Sequence, residues 1–128
     1  MTHELSILDQ IRVHPAFANT DVNDFELRTH VGVQYDDINV CCHDMAAWHK
    51  SRLAPDSRRN EIVHVRPDWV CDVVDDKDFH YGCHKREILH RWGVPLIWVV
   101  NPQGLDLTVL NWARDDYTET HFHWQPVH

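Results

Sequence analysis

From Phe25 onward the apolar positions recur with a short period. Phe25, Leu27, His30, Val31 and Val33 predict a strand, and Tyr35, Asp36 and Asp37 read as a turn. Ile38, Val40 and Cys42 then alternate with Asn39, Cys41 and His43, predicting a second strand that closes a hairpin and ends at Asp44. Residues 50–60 are polar, contain Pro55 and show no period, as a loop would. Ile62, Val63 and Val65 resume a strand, which Pro67 interrupts. Residues 69–74, WVCDVV, are almost continuously apolar, the pattern of a strand buried on both faces. Asp75, Asp76, Lys77 and Asp78 offer capping groups and first-turn carboxylates, so a helix follows and runs to Trp92, where Gly93 and Pro95 stop it. Leu96 to Val100 form another buried strand, residues 101–104 a turn, and residues 105–112 and 117–124 two further strands. Ahead of Phe25, Leu5, Ile7, Leu8 and Ile11 predict a short helix stopping near His14 and Pro15.

This order predicts an α/β fold with a mixed sheet. The span 69–100 is strand, helix, strand with short connections, which implies parallel pairing through a right-handed crossover. The 128 residues fit one domain, 1–128, without internal repeats. No apolar run approaches the ~20 residues needed to span a bilayer. The first residues lack the basic start and apolar stretch of a signal peptide, so a cytoplasmic location is expected.

Charge changes the picture of partners. Twelve Lys and Arg stand against twenty Asp and Glu, a formal net charge of −8 at pH 7. Nucleic-acid affinity comes largely from basic side chains that displace counterions, so tight DNA binding would need them clustered, with Arg52, Arg58, Arg59 and Arg66 as candidates. The four cysteines, Cys41, Cys42, Cys71 and Cys83, form no C-x-x-C, and the adjacent pair points to opposite strand faces. Free structural thiols are the expectation, and zinc held by Cys and His, with His121 and His123 as one pair, is a distant alternative.

Two features do not suit a plain core. Asp72 sits inside an apolar strand, where an unpaired carboxylate costs several kcal/mol, about 2–7 for a polar group and more for a charge. Lys85 lies on the helical stripe of Tyr81, Ile88, Leu89 and Trp92, which should face the sheet. A snorkelling lysine would explain it, and so would an amine reaching toward strand-end carboxylates. Asp44, at the end of its strand, supplies a second acid, although a strand-end aspartate bonded to a turn is the plainer reading. Two carboxylates can hold Mg²⁺ or a similar hard cation, which activates a water, and a lysine can stabilise the anionic transition state. Together they suit phosphodiester hydrolysis without a covalent intermediate.

The stretches RPDWVCDV (66–73), Lys85 and GVPLIWVVNP (93–102), with HDMAAW (43–48), Arg52 and Phe25-Glu26-Leu27, resemble the Uma-type restriction endonuclease family of the PD-(D/E)XK superfamily. The resemblance spans about residues 23 to 113. It implies a restriction-endonuclease-like fold and a catalytic set of Asp44, Asp72 and Lys85. Asp44 and Asp72 match the metal-binding acids for Mg²⁺ or Mn²⁺, and Lys85 matches a lysine moved from the strand to the following helix. DNA would be the substrate and a homodimer is possible on that basis. The family usually has Glu at 72, Pro at 43, Ser-Pro-Ser in place of residues 75–77, Asp in place of Asn101, and an N-terminal long helix with little counterpart here. These departures open the competing expectation of an inactive, acidic nuclease-fold protein that binds a basic protein partner.

Overall fold

The apolar run after Pro67 becomes the strand around which the sheet is built. The structure, a computed structural model, describes residues 24–53, 61–75 and 85–124. Its strands are β1 (Phe25–Gln34), β2 (Val40–His49), β3 (Trp69–Val73), β4 (Leu96–Asn101), β5 (Asp106–Ala113) and β6 (Asp116–His123), with the helix α1 (Lys85–Trp92) between β3 and β4 in sequence. They form one six-stranded sheet in the order of the chain. Every neighbouring pair is antiparallel except β3 and β4, which are parallel. The expected α/β class with a mixed sheet therefore stands, and β3 lies inside it, flanked by β2 and β4. The hand of the expected crossover depends on residues 76–84, and the expected N-terminal helix on residues 5–11; both lie outside the described residues.

Burial explains why α1 docks where it does. Ile88 and Leu89 join Val70, Ile97 and Leu110 in one core cluster, so the helix covers the sheet face from which those strand residues project. Met45, Trp69, Cys71, Trp98, Leu107 and Trp124 belong to a second cluster on the opposite face. Two apolar faces are what the unbroken hydrophobicity of β3 requires. The helix ends where expected: Gly93 takes φ +58, its N–H reaches the His90 carbonyl, and the Val94 N–H reaches that of Leu89. The Tyr117 hydroxyl faces the carbonyls of Leu89 and Val94 at 3.0 and 2.8 Å, closing the same end. Trp92 departs from the expected stripe and is 40% exposed, because the chain leaves the helix directly after it.

Three strand expectations need correction. Residues 62–65 form no strand, only an isolated parallel bridge between Val63 and Val33 held by two backbone bonds of 2.9 Å. β2 does not end at Asp44 but continues to His49. Within it the apolar alternation is not the one the sequence suggests. Val40 and Cys42 face outward while Cys41 and His43 are buried. Cys41 packs with the helix-side cluster, yet Met45, an even number of residues further on, packs on the opposite face. The same shift occurs in β1, where Leu27 belongs to one face and Val31 and Val33 to the other. Between them His30 adopts φ +51, a left-handed conformation costly for a residue with a Cβ. Pairing is recorded on either side, Thr29 with Met45 and Val31 with His43, and is interrupted at His30 and Asp44. A one-residue phase change thus runs across both strands at Asp44.

A Cβ added at Gly93 would lie 3.3 Å from the Trp112 ring on a backbone already at positive φ. Gly93→Ala is expected to lower stability by about 1–2 kcal/mol in urea unfolding, and a variant as stable as the wild type would contradict this account of the helix end.

Candidate active site

The site begins where two strands stop pairing. The β2–β3 ladder runs from Ala47 with Trp69 to Met45 with Cys71 and goes no further. The next residues are Asp44 and Asp72, and their side chains replace the lost carbonyl acceptors. The Asp44 N–H donates to Asp72 Oδ1 at 3.1 Å, and the Val73 N–H donates to Asp44 Oδ2 at 2.8 Å. Buried backbone donors must find acceptors, and here each acid satisfies a donor on the other strand. The two carboxylates consequently occupy one wedge between parting strands.

Asp72 is 3% exposed and has further partners. His43 Nδ1 lies 2.9 Å from Asp72 Oδ2, and the Lys85 amine lies 3.6 Å from the same oxygen. Lys85 Nζ also donates to the Cys42 carbonyl at 2.8 Å, which ties the first turn of α1 to β2. Behind His43, the Tyr35 hydroxyl meets Nε2 at 2.9 Å. Burial pushes the Asp72 carboxyl upward, but the hydrogen bond and charge of His43, the Lys85 charge and the Asp44 N–H outweigh it and leave its pKa below the usual value. Burial pushes the Cys71 thiol well up, reinforced by Asp72 and Asp44, and also raises Cys41. Such thiols stay protonated, as structural cysteines do.

The structure therefore brings together all three residues singled out in the sequence, Asp44, Asp72 and Lys85. It adds two that the sequence did not suggest, His43 and Tyr35. Their signal was slight: a histidine on the strand face of a buried cysteine, and a tyrosine read as part of a turn. Other candidates lie elsewhere. His121, exposed on β6, sits between Glu119 at 2.8 Å and Asp106 at 3.3 Å, and these two hydrogen bonds raise its pKa. Arg52 pairs with Asp68 at 2.6 Å, and Arg66 faces the carbonyls of Trp92 and Gly93 at 3.5 Å. Arg58, Arg59 and Cys83 lie outside the described residues.

Among the described residues no three His, Cys, Asp or Glu side chains group to hold a metal ion. A structural zinc site takes four protein ligands. Mg²⁺ makes a smaller demand: one or two carboxylates, with water and substrate phosphate completing the shell. Asp44 suits that role, being half-buried and using only Oδ2 in a hydrogen bond to the described residues. Asp72 offers charge, but both of its oxygens already accept bonds. The donor set fits a sparsely ligated hard cation.

No protein-family model matches the sequence, and no curated protein matches it. Among solved structures, the chain is similar to a DUF820 protein from Anabaena variabilis ATCC 29413, provisionally assigned as a nuclease, with a TM-score of 0.64 and 14% identity. The match covers 94% of this chain and 64% of that one, so this chain spans less than two thirds of its neighbour. At that identity the likeness is one of fold. Among the described residues, no helix is long and apolar enough to cross a membrane.

Replacing Asp72 by Ala takes the acceptor from the Asp44 N–H and from His43 and removes the carboxylate beside the Lys85 amine. A loss of about 3–5 kcal/mol is expected in chemical denaturation. The acid limb tests the same contacts. Because the folded pKa lies below the unfolded value of about 3.9, the Asp72 contribution is complete above that value and is lost as pH falls through the folded pKa. Asp72→Asn should flatten this acid-side fall in melting temperature, and an unchanged profile would contradict the assignment.

Proposed function

We propose that the protein is a divalent-metal-dependent endonuclease that hydrolyses phosphodiester bonds in DNA, on a restriction-endonuclease-like fold with a strand–helix–strand crossover. The observation that carries this reading is the convergence of Asp44 on β2, Asp72 on β3 and Lys85 on α1 at one wedge in the sheet. The nuclease-like fold of the structural neighbour supports it.

In this reading Asp44 and Asp72 hold Mg²⁺ or Mn²⁺, with Asp44 presenting its uncommitted oxygen. When bound, the cation would lower the pKa of a coordinated water and offset charge on the scissile phosphate. Lys85 supplies a positive charge beside the carboxylates, placed to steady the developing anion and orient the attacking water. Its contacts with Cys42 and Asp72 hold the amine at the wedge before substrate arrives. His43 lies behind Asp72, at 1% exposure, and acts only through it.

A second reading, a catalytically inactive protein of this fold that binds a basic partner, is favoured by two observations. Both oxygens of Asp72 are already satisfied by the protein, and the chain carries a net charge of −8. Cleavage of duplex and single-stranded DNA with Mg²⁺ or Mn²⁺ separates the two, since EDTA should abolish it. Asp72→Ala and Lys85→Ala are each expected to lower the rate by about 10²–10³-fold, and Asp44→Ala to weaken Mn²⁺ binding in calorimetry. A folded protein that binds neither ion and cleaves no nucleic acid would establish the second reading over the first. A homodimer would then remain to be measured by sedimentation.

A further inference from the structure

We propose that the open edge of β6 pairs with the β6 of a second copy of this chain, antiparallel about a twofold axis at Thr120, so that two sheets become one. Among the described residues the sheet has two outer strands, β1 and β6. An outer strand presents unpaired backbone groups to any further strand, and proteins usually blunt such edges. β1 is blunted: His30 breaks it with a left-handed backbone, and the bridge from Val33 to Val63 covers part of its rim. β6 has neither defence. Its eight residues, DYTETHFH, pair with β5 without interruption and include no Pro, Gly or Lys. All of them are exposed except Tyr117, which is half-buried.

The backbone decides which residues can meet. In an antiparallel ladder the N–H and C=O of successive residues point alternately to either side of the strand. The Trp124 N–H points inward, to the Leu105 carbonyl at 2.8 Å, whereas the Tyr117 N–H turns from β5 and donates to the Asp116 carboxylate at 2.8 Å. Tyr117, Glu119, His121 and His123 therefore offer their backbone groups to the open edge. A ladder centred on Thr120 sets Glu119 opposite the partner's His121 and Tyr117 opposite the partner's His123, each twice by symmetry. Four such pairs at two bonds each make about eight main-chain hydrogen bonds. On the other face of the sheet Thr118 meets the partner's Phe122, a β-branched and aromatic pair. Sliding the register by two residues opposes Glu119 to itself or His121 to itself and shortens the ladder, so charge selects Thr120 as the centre. The edge is also balanced where the chain as a whole carries −8, with Arg86 and His121 standing against Glu119 and Asp106. Hydrogen bonds to Glu119 and Asp106 raise the His121 pKa and favour its charged form. Phe122, 43% exposed, is the one large apolar side chain on this edge, so the dimer is of the small, reversible kind.

The test uses the full chain at neutral pH and about 0.15 M salt, where repulsion between the two net charges is screened beyond about 8 Å. Sedimentation should show a reversible monomer–dimer equilibrium between roughly 1 and 200 µM, and a chain that stays monomeric across that range overturns the proposal. Thr120→Lys sets two ammonium groups opposite each other and should weaken the dimer by about fivefold or more. Cysteine reads the register directly. At the centre of the ladder two Thr120 Cα atoms would stand about 4.5 Å apart, within reach of a disulfide, whereas two Thr118 Cα atoms would be roughly 14 Å apart. Under mild oxidation Thr120→Cys should cross-link at least about tenfold faster than Thr118→Cys, with the wild type as background for the exposed Cys42. Equal cross-linking of the two, or a dimer indifferent to Thr120→Lys, overturns β6 as its seat. If Thr120→Lys does not fold, the cysteine pair decides. The pairing is independent of the nuclease reading: cleavage by a strictly monomeric chain overturns the pairing alone, and a dimer that binds no Mn²⁺ and cleaves nothing overturns the nuclease reading alone.

Discussion

Two backbone N–H groups that lose their ladder partners where β2 and β3 separate are the constraint on which the site depends. A sheet interior tolerates few unpaired donors, each worth about 1–3 kcal/mol if left buried and unmade. The chain meets the requirement with carboxylates, Asp44 serving Val73 and Asp72 serving Asp44. That choice brings two negative charges into a region where Asp72 is 3% exposed, and the charges then require cationic or donor groups of their own. His43 and Lys85 supply them from a second turn of interactions, and Tyr35 completes the imidazole. The cluster is therefore a chain of obligations that starts with strand geometry, and its members cannot be exchanged one at a time.

How much of this was legible in the sequence depended on whether the signal was local. The buried strand at Trp69, the helix stop at Gly93 and the β5–β6 hairpin all follow from short-range patterns, and the structure places them within a residue or two. The phase change at Asp44 was not legible. Alternation of apolar residues has a period of two, and a single left-handed residue in the neighbouring strand, His30, is enough to shift it. Nothing in the local sequence marks His30 for that conformation, since histidine adopts it only when tertiary context holds it there. The apolar pattern consequently breaks at Asp44, although the backbone continues as strand to His49.

The site was legible where chemistry clashed with its surroundings. Asp72 within WVCDV and Lys85 on an apolar stripe are conspicuous because each would be expensive alone. His43 and Tyr35 are compatible with an ordinary core at their own positions. Only the pairing of β1 with β2 and the approach of β3 bring them behind Asp72, and contacts spanning 29 residues leave no trace in a window of ten. The residues that were missed are thus the ones whose cost is removed by a distant partner.

Two acids at this wedge do not by themselves distinguish a catalyst from a scaffold, because both satisfy backbone donors of the sheet. Lys85 is more informative. Asp72 already receives the Asp44 N–H and the His43 imidazole, so its desolvation is largely met without a lysine. The amine stands 3.6 Å from Asp72, beyond a good hydrogen bond, and donates instead to the Cys42 carbonyl. Ordering a lysine side chain costs up to about 2 kcal/mol of rotamer freedom, and its attraction to the buried Asp72 is offset by the cost of taking both charges out of water. Stability alone gives weak reason to hold the amine there. In the proposed nuclease reading, a positive charge kept beside two carboxylates has a further task, to receive the anionic phosphate of the substrate.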